Sequence, residues 1–425
     1  MNRFITLLAV TALFPAAPAL AQSETVSPVA QVTSSPVFAK ARATLDADYD
    51  RTIADLIRIT ETPAPPFKET ERAKLFADML RKQGLRDVEI DAVGNVTGLR
   101  PGLDDGPLLV VAAHLDTVFP EGTPIKVTRK GDRLSAPGIG DDSLGLASIL
   151  AWSRALDAAG VRTRSGILFV GTVGEEGPGD LRGVRHFFTQ GRYKDRVGAF
   201  LSVDNSNVRR IVQGAVGSRR YRLTYSGPGG HSYGAFGTVN PMAAMADTVQ
   251  RMYRIAPPAA PKTTYAASVV SGGTSVNSIP NSIVLDVDMR SVDPGELARL
   301  EKRLLTIVDE AVAAENFARS TKDGSIAAER KLIGDRPAGR TDPEHLLVKN
   351  ALAAVKAAGL EPYLDSSSTD SNIPMSLGIP ALTVGSGAGG GRTHSLDEYL
   401  DVERQAFVRG LSVGLALIMA QAGAQ

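Results

Sequence analysis

Imidazole and carboxylate side chains recur along this chain at places where they could converge: His114-Leu-Asp116, Asp141-Asp142, Glu175-Glu176, Asp204 and His394. His114 closes the apolar run Leu108 to Ala113. In an extended strand residues 114 and 116 point the same way, so Asp116 can fix the orientation of the His114 ring. Asp141-Asp142 follows Gly138-Ile-Gly140, Glu175-Glu176 follows Gly171-Thr-Val-Gly174, and Asp204 ends the apolar Leu201-Ser-Val203. His394 lies in Gly389-Gly-Gly-Arg-Thr-His394-Ser, after the strand-like Pro380 to Gly385. Carboxylates at strand ends, beside glycines that let the backbone turn sharply, are usually aimed at something. Taken one at a time, each also fits an acidic turn or the dressed N-terminus of a helix.

The chain has five histidines and no cysteine, so any metal must be held by imidazole and carboxylate. Two imidazoles and several carboxylates suit zinc, and the surplus of carboxylates suggests two ions sharing one bridge. His186 and His345 sit in or beside helix-like segments with charged neighbours and read as structural or solvated.

Elements that could position these groups follow an alternating pattern. Helical apolar spacing over Phe38 to Thr60 and Thr70 to Gly84, separated by Pro63 to Pro66, precedes the strand Leu108 to Ala113. Then come a helix from Leu144 to Ala158, a strand Gly166 to Gly171, a helix near Val184 to Phe188 and a strand Ala199 to Val203. This predicts an α/β catalytic domain, a mostly parallel sheet with helices on both faces, whose functional loops lie at the carboxyl ends of the strands. From Gly214 the pattern changes to Tyr221 to Tyr225, a helix Pro241 to Ile255, the strand Ile283 to Met289 and a helix Pro294 to Ala318. That reads as a smaller α+β insert over residues 214–332, interrupting a domain formed by 37–213 and 333–425.

At the start, Met1-Asn-Arg3, the apolar Phe4 to Leu13 and Ala19-Leu-Ala21 read as a signal peptide (residues 1–21) cleaved after Ala21, which predicts a periplasmic or secreted protein. Residues 22–36 read as a loose leader. With a formal net charge of +1 and charges of both signs interspersed, nothing favours nucleic acid or a membrane as partner. A small molecule or short peptide fits better.

Together these residues resemble the M20 family of co-catalytic zinc metallopeptidases, which includes carboxypeptidase G2-like, peptidase T-like and dipeptidase enzymes. His114-Leu-Asp-Thr-Val118 looks like the family's first-ligand motif, Gly138-Ile-Gly-Asp-Asp142 like its bridging-aspartate motif, and Glu175-Glu-Gly177 like its base-plus-ligand pair. The resemblance implies two Zn2+ per subunit, with cobalt or manganese as alternatives. By it His114 and Asp204 hold one ion, Glu176 and His394 the other, and Asp141 bridges them, while Glu175 is the general base and Asp116 orients His114. It also implies a cis Asp141-Asp142 peptide and hydrolysis of a short peptide or an N-acyl amino acid. The insert is then a lid or dimerisation domain through which a homodimer could form. His231, in Gly229-Gly-His231-Ser, would stabilise the oxyanion, and Asn277 and Arg290 would bind substrate. One departure is Ser143-Leu-Gly145, where many relatives carry Lys; Asp204, in place of Glu, leans toward the aminopeptidase and dipeptidase branches.

Two alternatives belong to other classes. Gly230-His-Ser232-Tyr-Gly234 matches the Gly-x-Ser-x-Gly elbow, with Asp370 and His394 following in the order of a Ser-Asp-His hydrolase. A catalytically inactive exported binding protein on the same scaffold is the other, and it would have lost a base or a ligand.

Overall fold

The computed structural model describes residues 27–425. The expected signal peptide, and the leader up to residue 26, lie outside the described residues. The strand Leu108–His114 is buried along its whole length. It runs parallel to Ile167–Thr172 on one side and to Val197–Val203 on the other. Its side chains alternate between two cores: Leu109, Val111 and Ala113 enter one, Leu108, Val110 and Ala112 the other. A continuous apolar run is what a strand covered on both faces requires.

Among the described residues the main sheet has nine strands. Its order is Arg86–Ile90, Val96–Arg100, Ile167–Thr172, Leu108–His114, Val197–Val203, Ala381–Val384, Arg210–Ala215 and Gly339–Arg340, with Tyr363–Ser367 beside Arg210–Ala215. The middle four strands are parallel, and the margins are largely antiparallel. Helices Leu144–Ala159 and Arg404–Gln421 fill one face, where the buried Trp152 indole donates to the Leu411 carbonyl at 2.8 Å. Arg182–Gln190 covers the other face through Val184, Phe187 and Phe188.

The insert has its own antiparallel sheet, ordered Thr263–Gly272, Ser282–Ser291, Gly217–Ser226, Ala327–Arg336. Every second residue of Ser282–Ser291 is buried, and the helices Pro241–Met252 and Pro294–Ala318 close that face. Two of the four strands were not expected. Thr263–Gly272 and Ala327–Arg336 are the edges, exposed along most of their length, so they lack the alternation that marks a half-buried strand. The insert accordingly runs beyond residue 332 to Arg336 before the chain re-enters the main sheet at Gly339.

Two further expectations are corrected. The leader is not loose where it is described: Pro28–Thr33 is a helix, its first turn capped by the Ser27 hydroxyl accepting from Ala30 N–H at 3.2 Å, and Val29 and Val32 enter the main core. The helical segment 38–60 is two helices, Pro36–Ala47 and Tyr49–Thr60, that meet at Asp48.

Candidate metal centre

His114 ends its strand with a side chain only 2% exposed. Its Nδ1 lies 3.0 Å from the Asp116 carbonyl oxygen, which leaves Nε2 directed at Asp141 Oδ1, 2.8 Å away. The backbone beneath is tied down by Asp142, which accepts from His114 N–H at 2.9 Å and Gly145 N–H at 3.2 Å. A Cβ at Gly145 would collide with the Asp142 carboxylate and the Val203 carbonyl, so glycine is required where this helix begins. The Asp141-Asp142 peptide is cis.

Asp141 turns its other oxygen to a second ring. Oδ2 lies 3.1 Å from His394 Nε2, which is also 2.8 Å from Glu176 Oε1. One carboxylate thus faces a different imidazole with each of its oxygens. The turn carrying it hangs on Glu398, which accepts from the N–H groups of Gly138, Gly140 and Asp141 at 2.8–3.0 Å. Burial, with the negative charge of Asp141 beside it, pushes Glu398 up to about 7 despite these donors. Sequence reasoning passed over Glu398; its place four residues after His394 was the available signal.

Asp116 does more than face His114. Its two carboxylate oxygens accept from the backbone N–H groups of Glu175 and Glu176, at 3.0 and 2.9 Å, and Oδ1 stands 3.7 Å from His114 Nδ1. The ring is oriented by the Asp116 carbonyl, and the carboxylate holds the loop bearing the two glutamates. Glu175, 5% exposed, pairs through Oε1 with Arg336 Nη1 at 3.2 Å. Arg336 was absent from the expected site, and nothing in its local sequence announces it. Arg72, also missed, lies buried below the strand end and donates to the carbonyls of Leu115 and Thr62, both at 2.9 Å.

Asp204 follows the strand Val197–Val203. Among the described residues no hydrogen bond or ion pair reaches its carboxylate. Burial and then repulsion by Asp141 push it up to about 7. Burial likewise lifts Glu175 well above the carboxylate range, and Glu176 adds to this against the pull of Arg336. The opposite holds for His394, which hydrogen bonds to Asp141 and Glu176 raise to about 10. Burial would lower His114, but the carboxylates of Asp116 and Asp141 outweigh it and raise the ring well above its usual value. Such crowding of carboxylates around imidazoles is what a divalent cation relieves. One donor atom each from His114, Asp141 and Glu176 lie within 4.8 Å of one another, so this donor set fits an ion.

The sequence profile of Peptidase family M20/M25/M40 matches residues 110–420, a span containing every one of these side chains except Arg72. The chain belongs to the M20/M25/M40 peptidase family. It is 27% identical over 245 residues to the succinyl-diaminopimelate desuccinylase of Leptothrix cholodnii, a match covering 53% of this chain and 62% of the relative. The chain therefore spans about three fifths of that relative's length. Its fold is that of a tripeptidase from Staphylococcus aureus, with a TM-score of 0.73 and 20% identity over 88% of this chain and 98% of that one. A dinuclear metal-binding peptidase of the M20 family from Bacillus subtilis superposes with a TM-score of 0.66 and 17% identity, covering 88% of this chain and 99% of that one.

The insert residues expected at an M20 site make their hydrogen bonds and ion pairs within the insert. His231 is exposed, its Nδ1 accepting from the N–H groups of Tyr233 and Gly234 at 3.2 and 3.3 Å. Asn277 lies beside it, its carbonyl accepting from Ser232 N–H at 2.9 Å. Arg290 pairs with Asp288 of its own strand at 2.7 Å. Among the described residues no hydrogen bond or ion pair joins these three to the metal cluster. The serine-hydrolase alternative fails on geometry. Ser232 is exposed and turns follow it where an elbow requires a helix, Asp370 accepts from Thr172 Oγ1 at 2.5 Å, and His394 is engaged by Asp141 and Glu176. His345 caps a helix by accepting from Leu347 N–H at 3.1 Å, and His186 lies 3.8 Å from Asp91, so both serve the fold.

Proposed function

We propose that the protein is an exported dinuclear metal hydrolase that cleaves peptide or related amide bonds in short peptides or N-acyl amino acids. The observation that carries this reading is Asp141 presenting one oxygen to His114 and the other to His394, with the unpaired Asp204 nearby. In this reading His114 and Asp204 hold one cation, Glu176 and His394 the second, and Asp141 lies between them. Zinc suits these donors best, and cobalt or manganese accept the same set. When bound, the pair supplies positive charge that polarises the scissile carbonyl and acidifies the attacking water.

The remaining work falls to the chain. Glu175 takes the proton from the attacking water and passes it to the departing amine, a transfer helped by a carboxyl whose proton affinity burial has raised. Asp116 keeps the base and the ligand Glu176 in fixed relation by holding both of their N–H groups. His231 would meet the developing oxyanion, with Asn277 and Arg290 holding a substrate carboxylate, once the insert is brought over the cluster or is supplied by a second copy.

The deciding experiment measures amino acids released from a defined pool of dipeptides, tripeptides and N-acetyl amino acids by native, chelated and zinc-restored protein. Release that stops on chelation and returns with zinc supports the reading, and release indifferent to chelation rejects it. Glu175→Gln should lower turnover about a thousandfold with metal content unchanged; unchanged turnover removes the base role. Export is tested by N-terminal sequencing of the secreted protein, which should begin at Gln22. No helix of the described residues is long and apolar enough to cross a membrane.

A further inference from the structure

The strand Ala327–Arg336 is the last of the insert, and Pro337, which has no N–H to continue a ladder, follows it directly. Its final side chain leaves the insert and enters the main domain. Arg336 is 4% exposed, and its guanidinium is shared among groups of one loop and its surroundings. Nη1 donates to Glu175 Oε1 and to Ser368 Oγ, both at 3.2 Å, and Nη2 donates to the Glu175 backbone carbonyl at 2.5 Å. Nε lies 3.7 Å from Asp180 Oδ1.

Neighbouring residues reinforce the joint. Asp335 N–H donates to Asp180 Oδ2 at 2.9 Å and Arg185 Nη2 donates to the Asp335 carbonyl at 2.7 Å, while within the insert Arg219 pairs with the Asp335 carboxylate at 2.6 Å. Arg220, on the adjacent insert strand, reaches the Gly177 carbonyl at 3.3 Å. Two strands of the insert therefore clasp the loop 175–180 that carries Glu175.

A planar fork that grips both the backbone and the carboxylate of one residue fixes more than its charge. Asp116 holds Glu175 by its N–H, and Arg336 holds it by its C=O and by Oε1. Among the described residues no hydrogen bond reaches Oε2, so that oxygen is the one left for the attacking water. We infer that Arg336 is a positioning residue that sets the reach of Glu175 and couples it to the insert. This rests on the reading of Glu175 as base. It differs from a role as a substrate ligand, for which the guanidinium would need to be free.

The test compares wild type, Arg336→Met, Arg336→Lys, Glu175→Gln and Glu175→Gln/Arg336→Met in the full chain, using the pool member that wild type cleaves fastest. Arg336→Met should lower kcat about a hundredfold with KM within twofold, as expected for a base displaced by ~1 Å. Arg336→Lys, which keeps the charge but not the fork, should recover part of that loss. Calorimetric affinity for the same compound should be equal in Glu175→Gln and in the double variant. A rise in KM with kcat preserved, or weaker binding in the double variant, overturns the inference in favour of a substrate ligand. Crystal structures of wild type and Arg336→Met give a readout that needs no turnover: Glu175 should leave its position in the variant, and an unmoved Glu175 overturns the inference. If Arg336→Met does not fold, Arg336→Lys decides by the same kinetic and crystallographic criteria. Full turnover in Glu175→Gln would instead sink the base reading itself.

Discussion

His114 and His394 approach the same carboxylate from opposite circumstances. The first ends a strand buried in the centre of the sheet, with a 2% exposed side chain whose ring is fixed by a backbone carbonyl. The second sits on a glycine-rich loop with a left-handed φ of 65°, 53% exposed, and its ring is held by Asp141 and Glu176 themselves. One half of the site is fixed by the core, and the other rests on contacts among the site's own side chains. Pre-organisation is therefore unequal across the cluster.

The largest effect that would sharpen this contrast comes from removing each imidazole in turn. His114→Ala should lose both ions and about 3 kcal/mol of stability, because it strands buried carboxylates. His394→Ala should keep its melting temperature within a few degrees and lose one ion per chain. Metal analysis with thermal denaturation measures both, and equal losses from the two variants would abolish the distinction. Next in size, Glu398→Ala frees three backbone N–H groups behind Asp141 and should weaken metal affinity about tenfold or more, as outer-shell partners generally do. Titration with a competing chelator reads this out, and unchanged affinity would show that the Asp141 turn stands without it.

A subtler expectation concerns order. Dialysis against a weak chelator should remove metal in two phases, with the first equivalent leaving from the side of His394; a single phase in wild type, or two phases persisting in His394→Ala, would contradict it. The smallest effect belongs to Ser232→Ala, for which turnover should stay within twofold of wild type. A large loss there would return the exposed serine to consideration.

Much of this was legible from residue types and spacing, for reasons that can be stated residue by residue. Leu108 to Ala113 reads as a doubly covered strand because it is apolar without alternation, and the carboxylates at strand ends and glycine turns fall together because parallel strands deliver their ends to one edge. Ser27-Pro28 and Ser35-Pro36 carry cap signals for the first two helices, yet the polar composition around them reads as a loose leader. Arg336 was illegible, since an arginine at the end of a charged edge strand looks like any solvated residue until the chain is folded. The same holds for Asp116, whose spacing predicts a partner for His114 but not the two N–H groups that its carboxylate holds. His231, Asn277 and Arg290 depend on how the insert lies against the main domain, which local pattern does not encode.

The two imidazole contacts also differ in how much chain they enclose. His114 meets Asp141 across 27 residues, whereas His394 meets Glu176 across 218. Closing the longer loop costs more chain entropy and waits on most of the polypeptide, including the whole insert. The first pair needs only one short stretch of chain, whereas the second joins segments on either side of the insert, so the complete cluster exists only when both segments of the main domain are in place.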